Sequence, residues 1–124
     1  MRRLPHLVFA PLLAFALLIG LGDAASAHAV VIEATPANNA VLHGSTVEVR
    51  LRFNNRIDRA RSRLMLLDAL GKSRVVAIAS SGPPDLLTGE IADVAPGEYR
   101  LRWQVLALDG HITHGDVPFT VVKP

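Results

Sequence analysis

The chain has 124 residues, half of them hydrophobic, and a formal net charge of +2, which allows one small domain with a single core. Cysteine is absent, so disulfides, thiolate zinc sites and cysteine nucleophiles are excluded together. The basic residues form no cluster with interleaved aromatic side chains, and the composition therefore gives no reason to expect nucleic acid as a partner.

The first 27 residues have the features of a secretory signal peptide. Two arginines at positions 2 and 3 precede an apolar stretch over 7–21, and Ala25-Ser26-Ala27 is a small-x-small cleavage signal. The apolar stretch is marginally short for a membrane span, and no basic stop-transfer flank follows it. We therefore expect cleavage after Ala27, a periplasmic location without stable membrane insertion, and a mature domain over 28–124 with a net charge of +1.

The mature segment has the pattern of a series of short strands. Apolar and polar residues alternate most clearly over 46–53 and 99–108, where Trp103 is predicted to be a core residue. Weaker patterns predict strands over 28–34, 63–69, 74–79, 86–92 and 117–122. The polar, arginine-rich segment 57–62 is predicted to be a solvated connection or a short helical turn, and 42–45 a turn.

Seven or so short strands in 97 residues, with no helical periodicity, indicate an all-β protein. The spacing of the turns favours a small antiparallel β-sandwich or Greek-key barrel. The number of strands does not separate the two.

A carboxylate and an imidazole follow the best strand. Asp109 and His111 are two residues apart, so in an extended chain they point to the same side and can present an oxygen and a nitrogen to one point. Taken alone, the pair is more typical of a turn in which the aspartate caps the backbone and the histidine is exposed.

Cleavage after Ala27 changes this interpretation because it makes His28 the first residue. The new α-amino group and the ring Nδ1 of His28 can then bind one metal ion in a closed chelate ring. Together with His111 and Asp109 they form a set of three nitrogens and one oxygen, which suits square-planar or tetragonal Cu(II).

Several segments of the mature chain resemble the CopC-type periplasmic copper-binding proteins. The resemblance rests on His28-Ala29 leading to Ala34-Thr35-Pro36-Ala37, on Val49-Arg50-Leu51-Arg52-Phe53, on the stretch from Ala95-Pro96-Gly97 to Trp103, and on Asp109-Gly110-His111 followed by Gly115 and Phe119-Thr120-Val121. Together these segments extend over nearly all of 28–124.

This resemblance implies a cupredoxin-like or immunoglobulin-like β-barrel that holds one Cu(II) ion through His28, Asp109 and His111. It also implies a role in copper resistance or delivery, with a membrane copper transporter of the CopD type as a partner. Some members hold Cu(I) in a methionine-rich loop, but Met65 is the single methionine of the mature segment. We therefore expect no Cu(I) site.

The remaining three histidines are not expected to be primary metal ligands. His6 belongs to the signal peptide, and His43 precedes a glycine in a predicted turn, where a solvated histidine is ordinary. His114 is expected to face away from His111, with an auxiliary role at the metal as the alternative.

Two other functions compete with a copper carrier. One is a copper enzyme of the lytic polysaccharide monooxygenase type, which also uses an N-terminal histidine. The short chain and the lack of a broad aromatic surface favour a protein that is not an enzyme. The other is an exported immunoglobulin-like module without metal.

Overall fold

The computed structural model describes residues 29–124 and contains eight strands and no helix in that range. The predicted signal peptide and His28 lie outside the described residues. The strands are β1 (Val31–Thr35), β2 (Ala40–His43), β3 (Val47–Phe53), β4 (Ile57–Asp68), β5 (Ser73–Val76), β6 (Leu86–Ile91), β7 (Gly97–Ala107) and β8 (Ile112–Val122). From residue 29 onward there is accordingly no helical segment of the length and apolarity needed to cross a bilayer.

The strands form two sheets that enclose one core. The smaller sheet has the order β1-β3-β6, and the larger has the order β2-β8-β7-β4-β5. The predicted all-β sandwich is confirmed. Its pairs are antiparallel except for β2, which runs parallel to β8.

The core follows the alternation of the two best strands. On β3 the side chains of Val47, Val49, Leu51 and Phe53 are buried, and β7 contributes Leu101, Trp103 and Val105 from the opposite sheet. The rings of Phe53 and Trp103 meet edge to face with centroids 5.3 Å apart, a preferred geometry for an aromatic pair. Trp103 is thus a core residue, as predicted.

The prediction for 57–62 was wrong, because β4 begins at Ile57 and continues to Asp68. Its pairing with β7 is irregular between Asp58 and Arg63, and such an irregularity breaks the two-residue alternation that reveals a strand in sequence. The Arg59 guanidinium donates to the carbonyls of Pro83 and Leu86, at 2.8 Å each. The charged side chain of Arg59 therefore binds backbone carbonyls of the segment that leads into β6.

The prediction of a turn over 42–45 was wrong in part. Ala40–His43 forms β2, whose register with β8 runs from Ala40 opposite Phe119 to His43 opposite Val122. Four residues are too few to show a period, and the parallel partner lies about 80 residues later in the chain. The turn is confined to the residues after His43.

Gly115 is required for the packing of Trp103. It lies opposite Trp103 in the β7–β8 register, and a Cβ built on it would lie 2.7 Å from Cζ2 of the indole. We expect Gly115→Ala to lower the free energy of unfolding by about 1–3 kcal/mol through overpacking, measured by urea denaturation.

The Trp103→Phe variant provides the control for this substitution. The smaller ring removes the atoms that the new methyl group would meet, so Gly115→Ala should cost less in that background. Equal costs in the two backgrounds would show that the indole is not the obstacle.

Candidate metal centre

The turn between β7 and β8 carries Asp109 and His111. It is closed by two backbone hydrogen bonds, from the amide of Ala107 to the carbonyl of His111 at 2.9 Å and from the amide of Gly110 to the carbonyl of Ala107 at 3.0 Å. Gly110 has φ +92°, a conformation that residues with a side chain rarely adopt. The glycine therefore lets the chain reverse between the two candidate ligands.

The Asp109 carboxylate is directed at His111. Its Oδ1 accepts from the backbone amide of His111 at 3.0 Å, and its Oδ2 lies 2.8 Å from the ring Nδ1. The aspartate therefore caps the backbone, as in the turn interpretation, and its second oxygen also contacts the imidazole.

This contact determines which ring nitrogen can bind a metal. A carboxylate next to Nδ1 favours the tautomer with the proton on Nδ1, and the lone pair then lies on Nε2. The His111 side chain is 60% exposed, so an ion can approach from solvent. The spacing argument predicted that both side chains would point at a common ion, whereas here they contact each other and Nε2 is the nitrogen suited to the metal.

The start of the described chain lies next to this turn. The hydroxyl of Thr113, two residues after His111, donates to the carbonyl of Ala29 at 3.0 Å. Ala29 is only 2% exposed and belongs to the core cluster. The residue that directly follows the third candidate ligand, His28, is therefore fixed beside the strand that carries Thr113.

Asn54 contacts the same segment from the other sheet. The amide of Val30 donates to Asn54 Oδ1 at 2.8 Å, and the backbone amide of Asn54 donates to the carbonyl of Val30 at 2.9 Å. The sequence pattern placed Asn54 directly after the predicted strand 46–53 and did not predict this contact. An asparagine directly after a strand that pairs with the first strand is the one signal that could have drawn attention to it.

No three histidine, aspartate or glutamate side chains come together between residues 29 and 124 in a group able to hold a metal ion. The described part of the turn supplies two candidate donors, Asp109 and His111. The assignment of His28, Asp109 and His111 as a ligand set stays a prediction.

The other two histidines of the mature segment lie elsewhere. His43 is on β2, with Nδ1 3.4 Å from the carbonyl of Lys123. His114 is opposite Gln104 on the outer face of the larger sheet, in a groove whose further lining residues are Arg63, Met65, Arg102, Gly115 and Asp116. Neither Asp109 nor His111 lines that groove.

Asp116 is the acidic residue of this groove. Arg102 contacts both of its oxygens, at 2.8 and 2.9 Å, and Arg100 contacts one at 3.3 Å. The hydrogen bonds from Arg102 are the largest cause of a lowered Asp116 pKa, and Arg100 adds to it against the opposing effect of burial. The same pairing raises the pKa of Arg102.

Comparison with known proteins identifies the family. The family model of the CopC domain matches residues 31–122. The chain belongs to the CopC family. Members of this family bind or transport copper, and the predicted resemblance is confirmed.

Solved structures of the CopC family have the same fold. The chain is similar to CopC from Methylosinus trichosporium OB3b, with 31% identity, a TM-score of 0.70, and coverage of 77% of this chain and 95% of that one. It also resembles PcoC, a methionine-rich copper resistance protein from Escherichia coli, with 20% identity, a TM-score of 0.58, and coverage of 77% and 100%.

A longer relative contains a similar region. The copper transport protein CutJ of Bacillus subtilis (strain 168) is 24% identical over 110 residues, which are 86% of this chain and 20% of CutJ. The chain therefore spans about a fifth of the length of this relative.

Asp109→Asn tests the tautomer of His111. The oxygen of the new side-chain amide can still accept from the His111 backbone, but its NH2 group then faces Nδ1 and donates to it. We expect the ring proton to move from Nδ1 in the native protein to Nε2 in the variant, seen by ¹⁵N NMR of the imidazole in alkaline solution. An Nε2-protonated ring in the native protein would contradict the geometry.

Asp116→Asn tests the arginine pairing by its pH dependence. A carboxyl whose pKa is lowered in the folded state stabilises the protein above its unfolded pKa, near 3.9 for aspartate, and this contribution is lost as pH falls through the lowered value. The variant should therefore unfold at a lower temperature than the native protein at pH 7. The difference should shrink toward pH 3, and a difference that does not change with pH would exclude the charge as its cause.

Proposed function

We propose that the mature CopC domain is a periplasmic Cu(II) carrier or buffer and not an enzyme. In this proposal one ion is bound by the amine and ring of His28, by the imidazole of His111 and by the carboxylate of Asp109, which leaves its contact with His111 Nδ1 to reach the ion. The observation that carries this proposal is the hydrogen bond from Thr113 to Ala29, which joins the residue after His28 to the residue two positions beyond His111.

The donor set explains the choice of metal. Amine and imidazole nitrogens with one carboxylate suit Cu(II), which leads the divalent metals in affinity for such ligands. Met65, the single methionine of residues 29–124, lies on β4 in the groove of Asp116 and is not part of this set. In contrast to the methionine-rich PcoC, residues 29–124 hold a single soft donor, which lies outside this set, and we propose that the protein holds Cu(II) alone.

Export and binding are coupled in this proposal. Cleavage after Ala27 converts the nitrogen of His28 from an amide, which cannot bind Cu(II) as a neutral donor, into an amine. The cytoplasmic precursor therefore lacks one ligand. The complete site arises once the signal peptide is removed in the periplasm.

The surroundings of the site suit transfer of the ion to another protein. Leu108 and Ile112, on either side of the Asp109–His111 turn, are among the exposed large apolar residues. Apolar surface at a polar site is typical of a protein contact. We propose a membrane copper transporter of the CopD type as the partner, and the presence of a similar region within the longer transport protein CutJ supports this pairing.

The proposal predicts that copper affinity depends on an unblocked His28. Addition of Gly-Ser before His28 removes the chain-end amine from the ring and should weaken Cu(II) binding more than about tenfold, or about 1.4 kcal/mol. His111→Ala in the extended protein should remove most of the remaining affinity. Titration against a competing chelator, followed by the fluorescence of Trp103, measures both losses.

His43→Ala and His114→Ala are matched controls, because each removes an imidazole outside the site and should leave affinity unchanged. A protein without a copper site would bind equally weakly before and after the Gly-Ser extension. Release of oxidised sugars from a polysaccharide in the presence of copper and a reductant would instead show an enzyme.

A further inference from the structure

We infer that Asn54 is a positioning residue for the copper site: it fixes the backbone of Val30 and thereby the location of the chain-end amine. This inference rests on the proposed function, since it concerns His28 as a ligand. It assigns a role in metal binding to a residue that is not itself a ligand.

Asn54 makes two hydrogen bonds with one residue. Phe53 is the last residue of β3 and lies opposite Val31. Asn54 continues this pairing with its own backbone amide, which donates to the carbonyl of Val30 at 2.9 Å. Its side-chain Oδ1 then accepts from the amide of Val30 at 2.8 Å, so both polar backbone groups of Val30 are bonded to Asn54.

The side chain of Val30 does not provide an equivalent attachment. It is 51% exposed, so packing contributes little to its position. The hydrogen bond from the Val30 amide to Asn54 Oδ1 therefore contributes more to the ordering of Val30 than one hydrogen bond does in a strand whose side chains are buried.

Thr113 and Ala29 complete the attachment from the opposite sheet. The Thr113 hydroxyl donates to the carbonyl of Ala29, and the Ala29 methyl group is buried in the core. Two consecutive residues, Ala29 and Val30, are thus held from different sheets: Ala29 by Thr113 and Val30 by Asn54. Only one backbone unit separates this attachment from the nitrogen proposed to bind copper.

Such an arrangement raises affinity by preorganisation. A chelating chain end that is mobile in the metal-free protein loses conformational freedom when it binds, and the loss reduces affinity. An end already held beside His111 loses less. Asn54 therefore affects how tightly copper is held without contacting the ion.

Asn54→Ala tests the role in the processed protein. The variant removes one acceptor, and a hydrogen bond of ordinary strength corresponds to about a five- to tenfold loss of Cu(II) affinity. Electron paramagnetic resonance should show a second Cu(II) species with fewer nitrogen ligands. Asn54→Asp keeps Oδ1 and should keep the native spectrum without loss of affinity, and Asn38→Ala, in an exposed turn, should change neither.

The Gly-Ser extension separates positioning from a general effect on the fold. In the extended protein the amine no longer adjoins the His28 ring, so Asn54→Ala should cause no further loss. An equal loss in processed and extended proteins, or native affinity in processed Asn54→Ala, would overturn the inference and leave the proposed function intact. Native affinity of the extended protein itself would overturn the proposed function.

Thr113→Val is the second variant if Asn54→Ala unfolds at the working temperature. It keeps the shape of the side chain but removes the donor to Ala29. We expect the same loss of Cu(II) affinity in the processed protein and no further loss in the extended protein. Native affinity in Thr113→Val would count against the anchoring of residues 29–30 as a determinant of binding.

Discussion

The attachment of residues 29–30 between two strands is the constraint on which the proposed copper site depends. Ala29 is buried, its carbonyl accepts from Thr113 of the larger sheet, and the next residue is bonded to Asn54 at the end of β3. A larger side chain at position 29 would compete with the core for space. The small residue therefore lets this segment lie inside the edge of the sandwich, beside the β7–β8 turn.

The core and the site are connected through neighbouring residues. Phe53 precedes Asn54 directly, and its ring contacts Trp103 edge to face at 5.3 Å. Trp103 in turn lies over Gly115, two residues beyond Thr113. The aromatic pair thus lies one residue from Asn54 and contacts the glycine two residues beyond Thr113. Because protein cores are close-packed, a change in this pair is transmitted to the end of β3, next to Asn54, and to β8, which carries Thr113.

Sequence predicted the parts of the molecule that follow a local rule. Strands β3 and β7 alternate strictly and were found where expected. The spacing of Asp109 and His111 predicted that both side chains point to one side, and in the structure they contact each other. β4 was missed over its first half because an irregular register hides the alternation. The contact of Asn54 with Val30 could not be read from sequence, since Val30 lies 24 residues earlier and contributes its backbone amide.

The two contacts of the Asp109 carboxylate suit the proposed carrier role in a further way. Before copper binds, its negative charge lies 2.8 Å from His111 Nδ1, so the turn attracts a cation. The site is also open, because His111 is more than half exposed. A hard, anionic environment of nitrogen and oxygen favours Cu(II) over Cu(I). An acceptor that reduces the ion or offers softer ligands at this exposed turn would therefore weaken its binding to the carrier and draw copper from it.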